Sequence, residues 1–110
     1  MKLPNGGRAV VDVAKLRDYC LNRLHPRGRH KARVFQAALG LTHADAEILR
    51  EALLAAAHGT DVEPAQRDEH GQRFILDFVM TARVREATVR SCWIVRAGED
   101  FPRLTSCWVL

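Results

Sequence analysis

Gln72-Arg73-Phe74-Ile75-Leu76-Asp77-Phe78-Val79-Met80-Thr81 alternates large apolar residues at Phe74, Leu76, Phe78 and Met80 with a mixed set at Arg73, Ile75, Asp77 and Val79. A period of two over ten residues describes a strand with one buried face. The pattern recurs twice. Ala87 to Arg96 places Val89, Ser91, Trp93 and Val95 on one side, with Arg90, Cys92, Ile94 and Arg96 on the other. Arg103 to Leu110 places Leu104, Ser106, Trp108 and Leu110 opposite Arg103, Thr105, Cys107 and Val109. The connector Gly98 to Pro102 is short enough for a hairpin. These stretches predict an antiparallel meander, with Trp93 and Trp108 both in its buried face.

Upstream of residue 60 the period changes to that of helices. Asp12 is placed to cap a first helix running to about Leu21, with Val13, Leu16 and Tyr19 or Cys20 on its inner side. His25-Pro26-Arg27-Gly28 breaks it, Gly28 permitting a sharp turn. A second helix is expected over Arg29 to Leu39, with Val34, Phe35, Ala38 and Leu39 inward and Gly40 as its stop. Thr42 and Asp45 form a capping-box variant for a third, lined by Ile48, Leu49, Ala52, Leu53 and Ala56 and ended by His58-Gly59. Thr60 to Gly71 is polar and reads as a loop with room for a short edge strand. The expected fold class is therefore α+β: three N-terminal helices packed on one face of a three- to four-stranded antiparallel sheet. It forms a single domain over residues 1–110, helical over about 10–59 and sheet over about 72–110.

Composition narrows the classes. At 47% hydrophobic and 27% charged residues, the chain has the balance of a folded globular protein rather than a disordered one. No apolar run approaches the roughly 20 residues of a membrane span. The first residues carry no apolar signal-type stretch, so no membrane partner and a cytoplasmic location are expected. Cys20, Cys92 and Cys107 are odd in number and form no Cys-x-x-Cys pair, which disfavours a disulfide framework or a four-cysteine zinc site. Cys20, His25 and His30 lie five residues apart, which is not a zinc spacing, so no metal site and no cofactor are expected. Phosphate-binding glycine loops and a nucleophile elbow are missing.

Charge is unevenly distributed. Between Tyr19 and Ala44 lie Arg23, Arg27, Arg29, Lys31 and Arg33 and no acid, whereas the other 12 basic residues face 13 acidic ones. The whole excess of +4 therefore sits in one stretch, as expected of a surface that meets an anionic partner. His25-Pro26-Arg27-Gly28-Arg29-His30-Lys31 puts two imidazoles and three cations at a helix start, where unpaired N–H groups favour phosphate. Imidazole transfers protons near neutrality, and Lys and Arg stabilise a developing phosphorane charge. Metal-independent RNA cleavage needs those groups. The competing reading is a solvated basic helix start with a structural His-Pro turn.

Lys15-Leu16-Arg17-Asp18-Tyr19-Cys20-Leu21-Asn22 and His25 to Phe35, with Gly71-Gln72-Arg73-Phe74, Ser91-Cys92-Trp93-Ile94-Val95 and Pro102 to Ser106, resemble a family of short bacterial proteins catalogued as a domain of unknown function. Similar blocks occur in C-terminal modules of bacterial polymorphic toxins of the barnase–EndoU–colicin–RelE ribonuclease superfamily. That resemblance implies a metal-independent endoribonuclease, cleaving RNA by 2′-OH transesterification. Its site would lie on the exposed sheet face, with a helix-borne basic residue reaching over the edge. Carried onto this chain, the expected catalytic residues are His30, Lys31, His25, Arg90 and Thr105. His30 is preferred over His25 for proton transfer, Lys31 and Arg90 would stabilise phosphate, and Thr105 would bond a non-bridging oxygen. Arg27, Arg29, Arg33, Arg96 and Arg103 would bind substrate. Relatives often carry a tyrosine where this chain has Trp108. The expected partners are RNA and a cognate antitoxin or immunity protein. The alternative function is a non-enzymatic binding module, of adaptor or immunity type, docking an anionic partner.

Overall fold

The computed structural model describes residues 1–110. Asp12 caps α1 (Val13–Lys15) by accepting the Ala14 N–H at 2.9 Å, and α1 runs on as a π-helical turn over Leu16–Cys20. α2 is Arg29–Leu39. Gly40 ends it at φ 69°, a left-handed conformation that favours glycine, and the Leu41 N–H bonds back to Phe35 O. Arg85 donates to the Gln36 and Ala37 carbonyls, covering the negative end of α2 with a cation. Thr42 and Asp45 form the expected capping box, opening a 3-10 turn at His43–Asp45 that leads into α3 (Ala46–Gly59).

Four strands follow: β1 (Glu63–Asp68), β2 (Gly71–Ala82), β3 (Arg85–Arg96) and β4 (Pro102–Val109). They form one antiparallel sheet in sequence order. The helices cover one face, and Leu16, Phe35, Leu39, Leu49 and Leu53 share a core with Leu76, Val89, Trp93, Leu104 and Cys107. The α+β class and the helix-before-sheet order are as expected. No helix is long and apolar enough to cross a membrane.

Four expectations are sharpened or changed. The polar stretch Thr60 to Gly71 holds the short edge strand it left room for, β1, which lacks an alternating signature because its first five residues are all exposed at the sheet edge. An edge also accommodates Pro64, whose missing N–H would break an inner ladder. Ile48 is 49% exposed, because the buried stripe of α3 runs Ala46, Leu49, Leu53, Ala56 and Ala57. Val34 likewise lies outside the α2 stripe of Ala32, Phe35 and Leu39. The fourth change matters most. Cys92 pairs with Ser106 while Trp93 pairs with Leu104, so Thr105 is an extra residue in β4. This bulge inverts the alternation beyond it. Cys107 turns into the core opposite buried Ser91, and Trp108 moves to the open face beside Arg90.

Trp93 keeps its core position with 0% exposure, and its indole N–H donates to Ser91 Oγ at 2.8 Å while that hydroxyl donates to Leu76 O. Ser91→Ala strands a buried N–H and is expected to cost about 1–3 kcal/mol. Urea unfolding should show a lower midpoint at unchanged slope. An unchanged midpoint would mean that the indole donor finds another acceptor.

Candidate functional site: the start of α2 over the β4 edge

The turn before α2 is built on His25. Its Nδ1 accepts the N–H groups of Arg27 and Gly28 at 3.0 and 3.1 Å, which puts the ring proton of the neutral form on Nε2. The ring stands edge-on to Tyr19 at 4.7 Å. Gly28 has an ordinary helical φ of −88°, so the expected sharp turn is not its purpose. A Cβ there would lie 2.2 Å from the Tyr19 carbonyl oxygen. Only glycine lets the start of α2 press against the π-helical turn.

That approach carries Lys31 over the edge of the sheet. Its ammonium donates to Ser106 Oγ at 3.1 Å and sits 4.9 Å from the Trp108 ring and 5.5 Å from the Tyr19 ring. All three partners are neutral. Two of its N–H groups therefore remain for another acceptor. Lys15 donates to the Thr105 carbonyl at 3.3 Å, and the Thr105 hydroxyl donates to Cys92 O at 3.0 Å, holding the bulge from both sides. Nearby, the thiols of Cys20 and Cys107 are both buried in the core. Interaction with Cys107, helped by the charges of Lys31 and Lys15, outweighs burial and brings Cys20 down to about 7, while Cys20 and burial push Cys107 up. Burial raises Cys92.

The sheet arginines are in a different state. Arg90 forms a two-pronged pair with Asp77 at 2.8 and 2.9 Å, and Arg103 forms another with Glu99 at 2.9 Å for both bonds. Those hydrogen bonds hold the Asp77 and Glu99 carboxyls below their ordinary range. Arg96 is exposed and unpaired, but lies opposite Gly71 at the far end of β3. By contrast, none of Arg23, Arg27, Arg29, Lys31 and Arg33 pairs with a carboxylate; Arg23 bonds Gln36 at 2.7 Å, and Arg27, Arg29 and Arg33 are exposed. Four of these, Arg27, Arg29, Lys31 and Arg33, thus stand uncompensated at the start of α2, whereas Arg23 sits beside Gln36 farther along the helix. Lys15, Arg67, Arg85 and Arg96 also have no carboxylate partner but are spread over other elements.

The structure gathers Lys31 with Tyr19, Ser106 and Trp108, and His25 packs against the same Tyr19 ring. His30 is exposed and lines a groove of about 270 Å³ with Lys31, Val34, Trp108 and Val109. Thr105 and Arg90 adjoin the cluster, one at the bulge and one opposite Trp108, whereas Arg96 and Arg103 do not join it. Ser106 and Trp108 were missed by sequence reasoning, since no residue of Leu104-Thr105-Ser106-Cys107 betrays a bulge, and Tyr19 reads in the sequence only as part of the inner side of the first helix. No three His, Cys, Asp or Glu side chains are placed to hold a metal ion.

A small α+β protein with helices on one face of a four-stranded sheet, and a cationic helix start over its edge, is thereby defined. The chain belongs to the family described as a domain of unknown function, DUF6883, whose model matches residues 2–110. No curated protein matches it. Among solved structures it is similar to a chain of a contact-dependent growth inhibition toxin–immunity protein complex from Klebsiella pneumoniae 342. The two are 16% identical with a TM-score of 0.74, over 92% of this chain and 99% of that one. That likeness is one of fold.

Since the folded carboxyl of Asp77 lies below its ordinary value of 3.8, its pair with Arg90 stabilises the fold above that pH and is lost as pH falls through the lowered value. Asp77→Asn is therefore expected to melt slightly below wild type at pH 7, the gap closing in acid below pH 3.8. Thermal melts across that range check this, and a gap that persists in acid would contradict it.

Proposed function

We propose that this chain is a toxin module that cleaves RNA without a metal ion, at the start of α2. The observation that carries this reading is the set of four cations at the start of α2 with no carboxylate partner, Arg27, Arg29, Lys31 and Arg33, one of them, Lys31, held over the sheet edge by neutral groups. A phosphodiester supplies the missing negative charge. The fold is shared with a chain of a toxin–immunity complex, which fits a role on either side of such a pair; on the toxin reading the cognate inhibitor is an acidic protein that covers these cations.

In the proposed reaction a base removes the 2′-OH proton and the 2′-oxygen attacks phosphorus. The bond to the 5′-oxygen breaks, and an acid returns a proton to that oxygen. The products are a 2′,3′-cyclic phosphate and a 5′-hydroxyl. Lys31 offers its two free N–H groups to the non-bridging oxygens, and Arg27, Arg29 and Arg33 hold the flanking phosphates. His30 is assigned proton transfer, because its ring makes no hydrogen bond and borders the Lys31 groove. His25 has only Nε2 available for the second transfer, Nδ1 being occupied by the turn. Arg90 reaches a phosphate only by loosening its hold on Asp77, and Thr105 reaches one only by turning its hydroxyl from Cys92. Arg96 and Arg103 serve longer RNA along the sheet.

Incubation with total bacterial RNA in EDTA should yield fragments with cyclic-phosphate and 5′-hydroxyl ends. His30→Ala and Lys31→Met should each lower the rate, by about 10²–10⁴ for loss of a proton-transfer group, with His30→Ala leaving the thermal melt unchanged. Reversing Arg27, Arg29 and Arg33 to Glu should abolish RNA binding, and wild-type affinity should fall with salt by a slope of about −0.7 per phosphate neutralised. Cleavage abolished by EDTA, or full activity in His30→Ala, would contradict the mechanism. The alternative, a non-enzymatic binding module, draws on the locked pairs of Arg90 and Arg103. Wild-type protein that is inert on RNA and harmless to cells would favour it.

A further inference from the structure

We infer that the groove along Trp108 is a stacking subsite for a single unpaired nucleobase of RNA; the inference rests on the RNA-directed reading above and names what that site holds beside the phosphate. The bulge at Thr105 is the starting observation. It lifts Trp108 out of the core and onto the open face, although the chain's other tryptophan, Trp93, is wholly buried. The indole is left beside a groove of about 270 Å³ whose other walls are Val34, Val109, His30 and Lys31. Three of the five lining residues are apolar, and Val34 is 44% exposed on a helix whose inner stripe does not need it.

The chemistry of the walls selects the occupant. No acidic residue lines the groove, and the flanking Arg29, Lys31 and Arg33 lack carboxylate partners. An apolar slot with an aromatic wall inside an uncompensated cationic rim suits a flat, uncharged ring attached to an anionic chain. A nucleobase on its phosphodiester backbone has both parts. Bases inside a duplex are already stacked and cannot enter, so the subsite takes a single-stranded or looped base. With the ring against the indole, the adjoining phosphate falls toward the Lys31 ammonium, which approaches the same indole at 4.9 Å. Stacking accepts any base, so this subsite would set the preference for unpaired RNA rather than for a sequence.

The test uses the full chain and a 2′-O-methyl oligonucleotide, whose blocked 2′-oxygen prevents cleavage. The protein has two tryptophans and Trp93 is buried, so quenching of emission on binding reports Trp108. Wild type should be quenched. Trp108→Phe should bind with retained affinity and no such quench. Trp108→Ala should lose affinity about five- to a hundredfold, with the salt slope unchanged. An abasic oligonucleotide guards against a folding defect in that variant: wild type should bind it more weakly than the base-bearing strand by a like factor, and Trp108→Ala should not distinguish the two. Salt-sensitive binding without quench, or equal wild-type affinity for abasic and base-bearing strands, overturns the subsite while the RNA reading stands. Failure to bind either strand overturns both. Quenching by an acidic, aromatic-containing peptide and not by RNA also overturns the subsite, in favour of a protein partner.

Discussion

Thr105 is one residue too many for the ladder between β3 and β4, and the chemistry of this molecule is arranged around the place where it is accommodated. Before the bulge, β4 sends Leu104 into the core; after it, Cys107 takes the core position and Ser106 and Trp108 turn to the open face. A regular strand would bury Trp108 and put Cys107 outside. Lys31 would then meet neither the hydroxyl nor the indole that hold it. The bulge is stabilised at both ends, by the Thr105 hydroxyl on Cys92 O and by Lys15 on the Thr105 carbonyl. The irregularity is therefore a defined conformation with its own hydrogen bonds, as bulges near functional sites commonly are.

A second constraint meets the first. The start of α2 approaches the π-helical turn so closely that Gly28 has no space for a Cβ, and His25 ties the turn by accepting two backbone N–H groups. Together these set where Lys31 leaves the helix. Its ammonium reaches Ser106, Trp108 and Tyr19, a neutral set that positions the charge without cancelling it. Three sheet arginines are treated differently: Arg73, Arg90 and Arg103 are each matched by a carboxylate, so their charge is compensated locally, while Arg67, Arg85 and Arg96 lie unpaired in separate parts of the sheet. An approaching anion meets several uncompensated cations in succession only at the start of α2, within a screening length of about 8 Å at physiological salt.

Much of the architecture was legible in the sequence because it depends on short-range rules. Asp12, the Thr42–Asp45 box and Gly40 act where capping chemistry places them, and the alternation of β2 and β3 runs without interruption from Gly71 opposite Arg96 to Ala82 opposite Arg85. β1 was legible only as room for an edge strand in a polar stretch, because a strand exposed on both sides has no apolar period to read. The site was half legible. Charge arithmetic found the segment from Arg23 to Arg33, and the toxin-module resemblance anticipated a basic residue crossing the sheet edge. Which residues receive it could not be read, since inserting Thr105 leaves Leu104-Thr105-Ser106-Cys107 looking like unbroken alternation. Nor does composition reveal that Arg90 and Arg103 have found partners, because Asp77 and Glu99 meet them only through strand register and a turn.

The central claim is that an RNA phosphate is received between the start of α2 and the far half of β4. Backbone amide spectra recorded while a 2′-O-methyl oligonucleotide is titrated into ¹⁵N-labelled protein test it without dependence on turnover. The account predicts that the largest shifts fall in residues 28–34 and 105–110, and that the β2–β3 hairpin tip at Arg83 and Val84 stays still. Shifts centred on that tip or on α3, or a spectrum that RNA leaves unchanged, would contradict it.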